Sequence, residues 1–68
     1  MNPKLTPREK DVIDQMIIRG RSTREAASVL GITAKSVLAL RYRIMMRFGV
    51  DKWREVVDRF RPSREPAD

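Results

Sequence analysis

The chain contains no cysteine and no histidine. Without cysteine there is no disulfide, no thiolate metal site and no thiol nucleophile, and redox compartment cannot be read from cysteine usage. Without histidine the commonest metal ligand and the commonest general base are missing as well. No apolar run approaches the length of a membrane span and no signal-peptide pattern opens the chain, so the cytoplasm is the expected location. Strand signals, internal repeats and a domain linker are also absent. A chain of 68 residues buries only a modest core. With neither disulfide nor metal to staple it, dimerisation is the remaining means of stabilisation.

What the chain does have is positive charge, unevenly placed. Its net charge is +6, and the first eighteen residues and the last eighteen are each balanced. The excess sits between Arg19 and Arg47, where Arg19, Arg21, Arg24, Lys35, Arg41, Arg43 and Arg47 face a single acid, Glu25. A basic field concentrated in this way is an electrostatic footprint for nucleic acid.

The same third reads as two helices joined by a tight turn, within a chain of four. Thr6-Pro7-Arg8-Glu9 has the capping-box pattern with proline at the first helical position. Val12, Ile13, Met16 and Ile17 follow as a one-sided stripe, and Gly20 supplies a left-handed exit. Ser22-Thr23-Arg24-Glu25 repeats the capping box. It opens a second helix with Ala26, Ala27, Val29 and Leu30 on its apolar side and Gly31 at its end. Thr33 caps a third helix that runs to Arg47 or Phe48, with Gly49 as its stop. Asp51 is expected to cap a fourth, Lys52 to Phe60. Pro62 and Pro66, among serine and charged residues, make 61–68 an expected disordered tail after a domain over 1–60. The class is all-α, and helix, glycine turn and fresh cap recur at helix-turn-helix spacing.

Catalysis finds little support. Asp11 and Asp14 share a helix face, but no further carboxylate or glycine-rich loop joins them, so a solvated face is the reading and no metal site is assigned. No activated nucleophile, cofactor motif or small-molecule site is evident. The chain reads as a binding module, not an enzyme.

On the third helix Val37, Leu40, Ile44 and Phe48 recur at three- and four-residue steps and face the core. Lys35, Leu38, Ala39, Tyr42, Arg43 and Met46 are left on or near the outer side. A helix in the major groove presents its N-terminal half to base edges while flanking cations meet phosphates. Lys35, Leu38, Ala39, Tyr42 and Arg43 are therefore the base-contact candidates. Lys35 can reach a guanine, and Leu38 or Ala39 a thymine methyl; a minor core or interface contact is the alternative for Leu38. Arg21, Ser22, Thr23, Arg24, Ser36, Arg41 and Arg47 are the phosphate candidates, the first four because free N–H groups at the start of a helix favour an anion. A plain solvated charge is the alternative for Arg41 and Arg47, and a plain cap for Ser22.

These residues resemble the LuxR/GerE-type helix-turn-helix family of bacterial transcription regulators, over Leu5 to Val57 without a gap. The likeness is carried by Leu5-Thr6-Pro7-Arg8-Glu9 with Val12-Ile13, then by Gly20, Ser22, Glu25, Ala27, Leu30, Gly31-Ile32-Thr33 and Ser36-Val37. It closes with Ile44, Arg47, Phe48, Gly49-Val50 and Glu55-Val56-Val57. The resemblance implies a four-helix domain whose third helix reads the major groove and whose fourth pairs two subunits. Trp53, Val56, Val57 and Phe60 become dimer-interface candidates; packing onto the first helix of the same chain is the alternative. Ala26 stands where the family prefers a larger aliphatic residue and Leu40 where histidine is usual. Leu38 and Tyr42 replace residues that are often polar or basic, so no operator can be borrowed. No receiver or ligand-binding domain accompanies the motif, which implies the stand-alone type.

The expectation is thus a sequence-specific regulator of transcription that binds double-stranded DNA as a homodimer, with RNA polymerase or another regulator as further partners. Two alternatives remain open. Similar segments occur in sigma-factor promoter-binding regions and in phage terminase small subunits. A protein-interaction module acting through the fourth helix would leave the basic field incidental.

Overall fold

The computed structural model describes residues 3–61. Four α-helices, Pro7–Ile13 (α1), Thr23–Leu30 (α2), Ala34–Phe48 (α3) and Trp53–Phe60 (α4), enclose one core. There is no strand among the described residues. Thr6 and Ser22 cap α1 and α2, and the backbone N–H of each donates in return to the carboxylate of the glutamate three residues on. Thr33 caps α3, accepting from the Ser36 N–H at 3.0 Å. In the motif turn Gly31 sits at φ 71°, in the left-handed region, and the Ile32 N–H reaches back to the Ala27 carbonyl. That closure satisfies carbonyls that the end of α2 would otherwise leave open.

The first helix departs from expectation. After Ile13 the chain continues as a π-helical segment, Asp14–Ile18, closed by the Arg19 N–H on the Asp14 carbonyl at 3.0 Å. A bond spanning five residues turns the chain less per residue than an α-helix does. Ile17 is thereby brought back onto the face of Val12 and Ile13 and becomes fully buried, while Met16 moves to the edge.

The buried apolar core is Val12, Ile13, Ile17, Ala26, Ala27, Val37, Ile44 and Val56. Leu40 and Phe48 pack partly buried against it, as the α3 stripe predicts. Val29 does not join it. It lies well round α2 from Ala27 and Leu30 and is exposed. The fourth cap is also different. Lys52 occupies the cap position of α4 with no side-chain bond, so Asp51 caps nothing.

One charged residue is buried with the core. Glu9 is 0% exposed, accepts from the Thr6 N–H at 3.0 Å, and lies 2.7 Å from Arg47 Nε through Oε1. Burial raises the Glu9 pKa, but the Thr6 backbone N–H and the Arg47 guanidinium outweigh it, and the net shift is downward. This pair ties the start of α1 to the last turn of α3. At the other end, Arg61 Nη1 donates to the Ile17 carbonyl at 3.2 Å. The remainder of the expected tail, 62–68, lies outside the described residues.

Candidate nucleic-acid interface

Three helices position the site. α3 packs through Val37 and Ile44, both fully buried, and its opposite side is thereby held outward. That outward side carries Lys35, Leu38, Ala39, Tyr42 and Arg43, all exposed. All five base-contact candidates therefore stand on solvent-facing positions of one helix. Met46, four residues beyond Tyr42, extends the stripe and is 63% exposed. Its spacing on α3 places it on the outer side with the five candidates.

The α2 start is shaped by its capping box. Ser22 Oγ accepts from the Glu25 N–H at 3.1 Å, and Glu25 Oε1 accepts from the Ser22 N–H at 2.9 Å. The first two helical N–H groups, of Thr23 and Arg24, have no partner within the helix. Arg24 is exposed beside them. Arg21 is half-buried, and its Nε is buried with no hydrogen-bond partner in the chain.

Arg41 fixes where this helix start lies. Its Nη1 donates to Thr23 Oγ1 at 3.2 Å, and its guanidinium carbon stands 4.8 Å from the centre of the Trp53 ring. One side chain of α3 thus touches the first turns of both α2 and α4. Burial lowers its pKa, and an arginine remains charged nonetheless. Arg41 is a half-buried tie between helices as well as a cation, a role its position on the helix did not disclose.

Arg47, among the phosphate candidates, has an acidic partner within the chain. Its Nε lies 2.7 Å from the buried Glu9 carboxylate, so it is the outer, exposed partner of an ion pair. Spacing along α3 gives no sign of this, because Glu9 belongs to another helix. Arg19 is likewise engaged, at 3.1 Å from Asp14. Ser36 Oγ accepts from the Thr33 hydroxyl at 3.0 Å and stays exposed. Among the described residues, Arg21, Arg24, Lys35, Arg41 and Arg43 are the cations of the central segment with no acidic partner.

A shallow cleft of about 300 Å³ runs beside the α3 face, lined by Arg8, Ile32, Ser36, Ala39, Leu40 and Arg43. It brings Arg8 from the first turn of α1 to the edge of the site. Arg8 was not among the sequence candidates. It is partly occupied by Asp11, 3.8 Å away on an exposed surface, a contact worth little in water.

The four dimer candidates of the fourth helix differ in how far their own chain covers them. Val56 is 0% exposed in the single chain, so it is core and unavailable to a partner. Trp53 lies under Arg41, Phe60 packs edge-on against Phe48 with ring centres 5.7 Å apart, and Val57 is half-buried against the core. Of the apolar side of this short amphipathic helix, Val56 is fully buried within the chain and Trp53, Val57 and Phe60 are partly buried. Its outer row is Arg54, Glu55, Asp58 and Arg59, all exposed.

Among the described residues no group of three or more carboxylates is placed to hold a metal ion, and no helix is long and apolar enough to cross a membrane. A family model described as bacterial regulatory proteins, luxR family, matches residues 3–60. No curated protein and no solved structure matches the chain.

Proposed function

The chain belongs to the luxR family of bacterial regulatory proteins and is a DNA-binding helix-turn-helix regulator; from that premise we propose that α3 enters the major groove and reads a defined sequence. The observation that carries this reading is the outward face of α3, where Lys35, Leu38, Ala39, Tyr42 and Arg43 are all exposed and the two cations have no acidic partner among the described residues. The start of α2, with Arg24 and the free N–H groups of Thr23 and Arg24, is the phosphate anchor beside it. Arg41 holds that anchor against α3 through Thr23.

The working unit in this reading is a homodimer on a two-part site. The outer row of α4 carries both signs of charge, Arg54, Glu55, Asp58 and Arg59. Two copies related by a twofold axis can therefore set a cation against an anion in both directions. Half-sites would then be centred about 10 bp apart. The cytoplasm, where DNA is reached, is the compartment this function requires.

Selection of binding sites from a random duplex pool tests the reading. A recovered motif with two related halves supports sequence-specific dimeric binding. Recovery of no motif, with retention that vanishes as salt rises, reduces α3 to a nonspecific cationic surface and refutes it.

A further inference from the structure

Five large apolar side chains of the described residues are more than half exposed, and three of them, Leu38, Tyr42 and Met46, lie on α3. The other two, Ile18 and Val29, stand on separate elements. Leu38, Tyr42 and Met46 follow one another at four-residue steps, and Ala39 falls within the same sector. At 3.6 residues per turn this sector spans about 100° and lies roughly opposite the buried Val37 and Ile44. From Lys35 to Met46 it extends about 16 Å along the helix, enough to pass several base pairs.

We infer that this face selects its DNA by the C5-methyl groups of thymine, with Leu38, Ala39 and Met46 as the reading residues and Tyr42 contributing its ring. The inference rests on the major-groove reading proposed above. Leu38 and Ala39 have no side-chain donor or acceptor, and the Met46 thioether is at best a weak acceptor. None of the three can form the paired hydrogen bonds that distinguish guanine or adenine. The one apolar feature a base presents in the major groove is the thymine methyl. Lys35 and Arg43 flank the stripe without acidic partners among the described residues, and their charge complements a phosphate backbone. The polar readers on this helix are then Lys35 at its start and Tyr42 through its hydroxyl. The recognised sites are thymine-rich on the strand that faces Leu38 and Met46.

Deoxyuridine provides the test, because it removes the methyl and leaves every hydrogen-bonding group of the base in place. A duplex bearing the motif selected by the wild-type protein is resynthesised with each thymine in turn replaced by deoxyuridine, and affinity is read by fluorescence anisotropy at fixed salt. We expect about fourfold weaker binding for each contacted methyl removed, the worth of roughly one buried methylene. Leu38→Ala and Met46→Ala, substitutions at exposed positions, should still bind and should each lose the thymine preference at one position. Equal affinity for uracil and thymine at every position, with site preference retained, overturns the inference and leaves the DNA reading standing. A selected motif without thymine does the same. Absence of any site preference overturns both and assigns the apolar stripe to a protein partner.

Discussion

Replacing Arg47 by methionine separates a structural arginine from a DNA contact. Methionine keeps much of the aliphatic stem and removes the guanidinium. Glu9, at 0% exposure, would then hold a charge with the Thr6 N–H as its main partner. Removing one member of a buried pair costs about 3–5 kcal/mol. The Arg47 side chain is 39% exposed, so water partly replaces it, and the loss should be about 2–3 kcal/mol. A domain of this length holds roughly 3–10 kcal/mol in all. The fall in Tm should be roughly 10–20 °C.

The pH dependence sharpens this prediction. In the wild type the Glu9 carboxyl titrates below its ordinary value of 4.5. A depressed carboxyl contributes stability that is fully present above its unfolded pKa and is lost as pH falls through the folded one. In the variant, burial is opposed by Thr6 without Arg47, so the carboxyl moves upward and its protonation relieves the strain on the fold. The stability gap between the two proteins is therefore widest near neutral pH and narrows in acid. Thermal unfolding followed by circular dichroism, at about pH 7 and about pH 4, measures it. A gap under about 0.5 kcal/mol, or one indifferent to pH, refutes the assignment. So would unchanged stability accompanied by weaker DNA binding and a shallower salt slope, which would restore Arg47 to the phosphate contacts.

The DNA face and the scaffold give further tests. Arg24→Ala should weaken binding to all duplexes alike and reduce the salt slope by about one, whereas Lys35→Ala should cost about 1–3 kcal/mol on the cognate site and little elsewhere; titrations of both duplexes over a salt series distinguish them, and equal losses from both substitutions would mean the helix face is misassigned. Val56→Ala should lower stability by about 2 kcal/mol without changing the association constant of the folded chain; sedimentation equilibrium showing a specific loss of dimer would return Val56 to the interface. Gly31→Ala forces a side chain into the left-handed region and should cost about 1–2 kcal/mol, and denaturant unfolding without that loss would show that the motif turn can relax.

The boundaries and caps of the motif were readable because they are local. Thr6 and Glu9, or Ser22 and Glu25, stand three residues apart, and that spacing suffices for the reciprocal bonds found. The solvent face of α3 was readable for the same reason, since the core stripe through Val37 and Ile44 leaves its opposite side outward. What spacing does not carry is the difference between the two capping glutamates. Glu25 stays exposed, while Glu9 is enclosed by α3 and recruits Arg47. Arg41 is hidden in the same way, because Thr23 and Trp53 meet it only once three helices have packed. Val56 shows the converse case. An apolar row on a short terminal helix has the same pattern whether it covers its own core or another subunit, and here the space above α3 was available to it.

The π-helical turn at Asp14–Ile18 has a consequence for how tolerant this domain is of changes in length. Both ends of that first element are anchored, by the Thr6–Glu9 capping box and by the reversal at Gly20 that leads into Ser22. A residue added between two fixed ends cannot push either of them along, so it widens one turn instead. Ile17 keeps its place in the interior through that widening, and the Ser22 cap still begins α2 where Arg41 can reach Thr23. The turn therefore works as a slack loop in an otherwise taut frame. Shortening the chain by one residue there should give an ordinary helix of the same span and leave the DNA-facing half undisturbed.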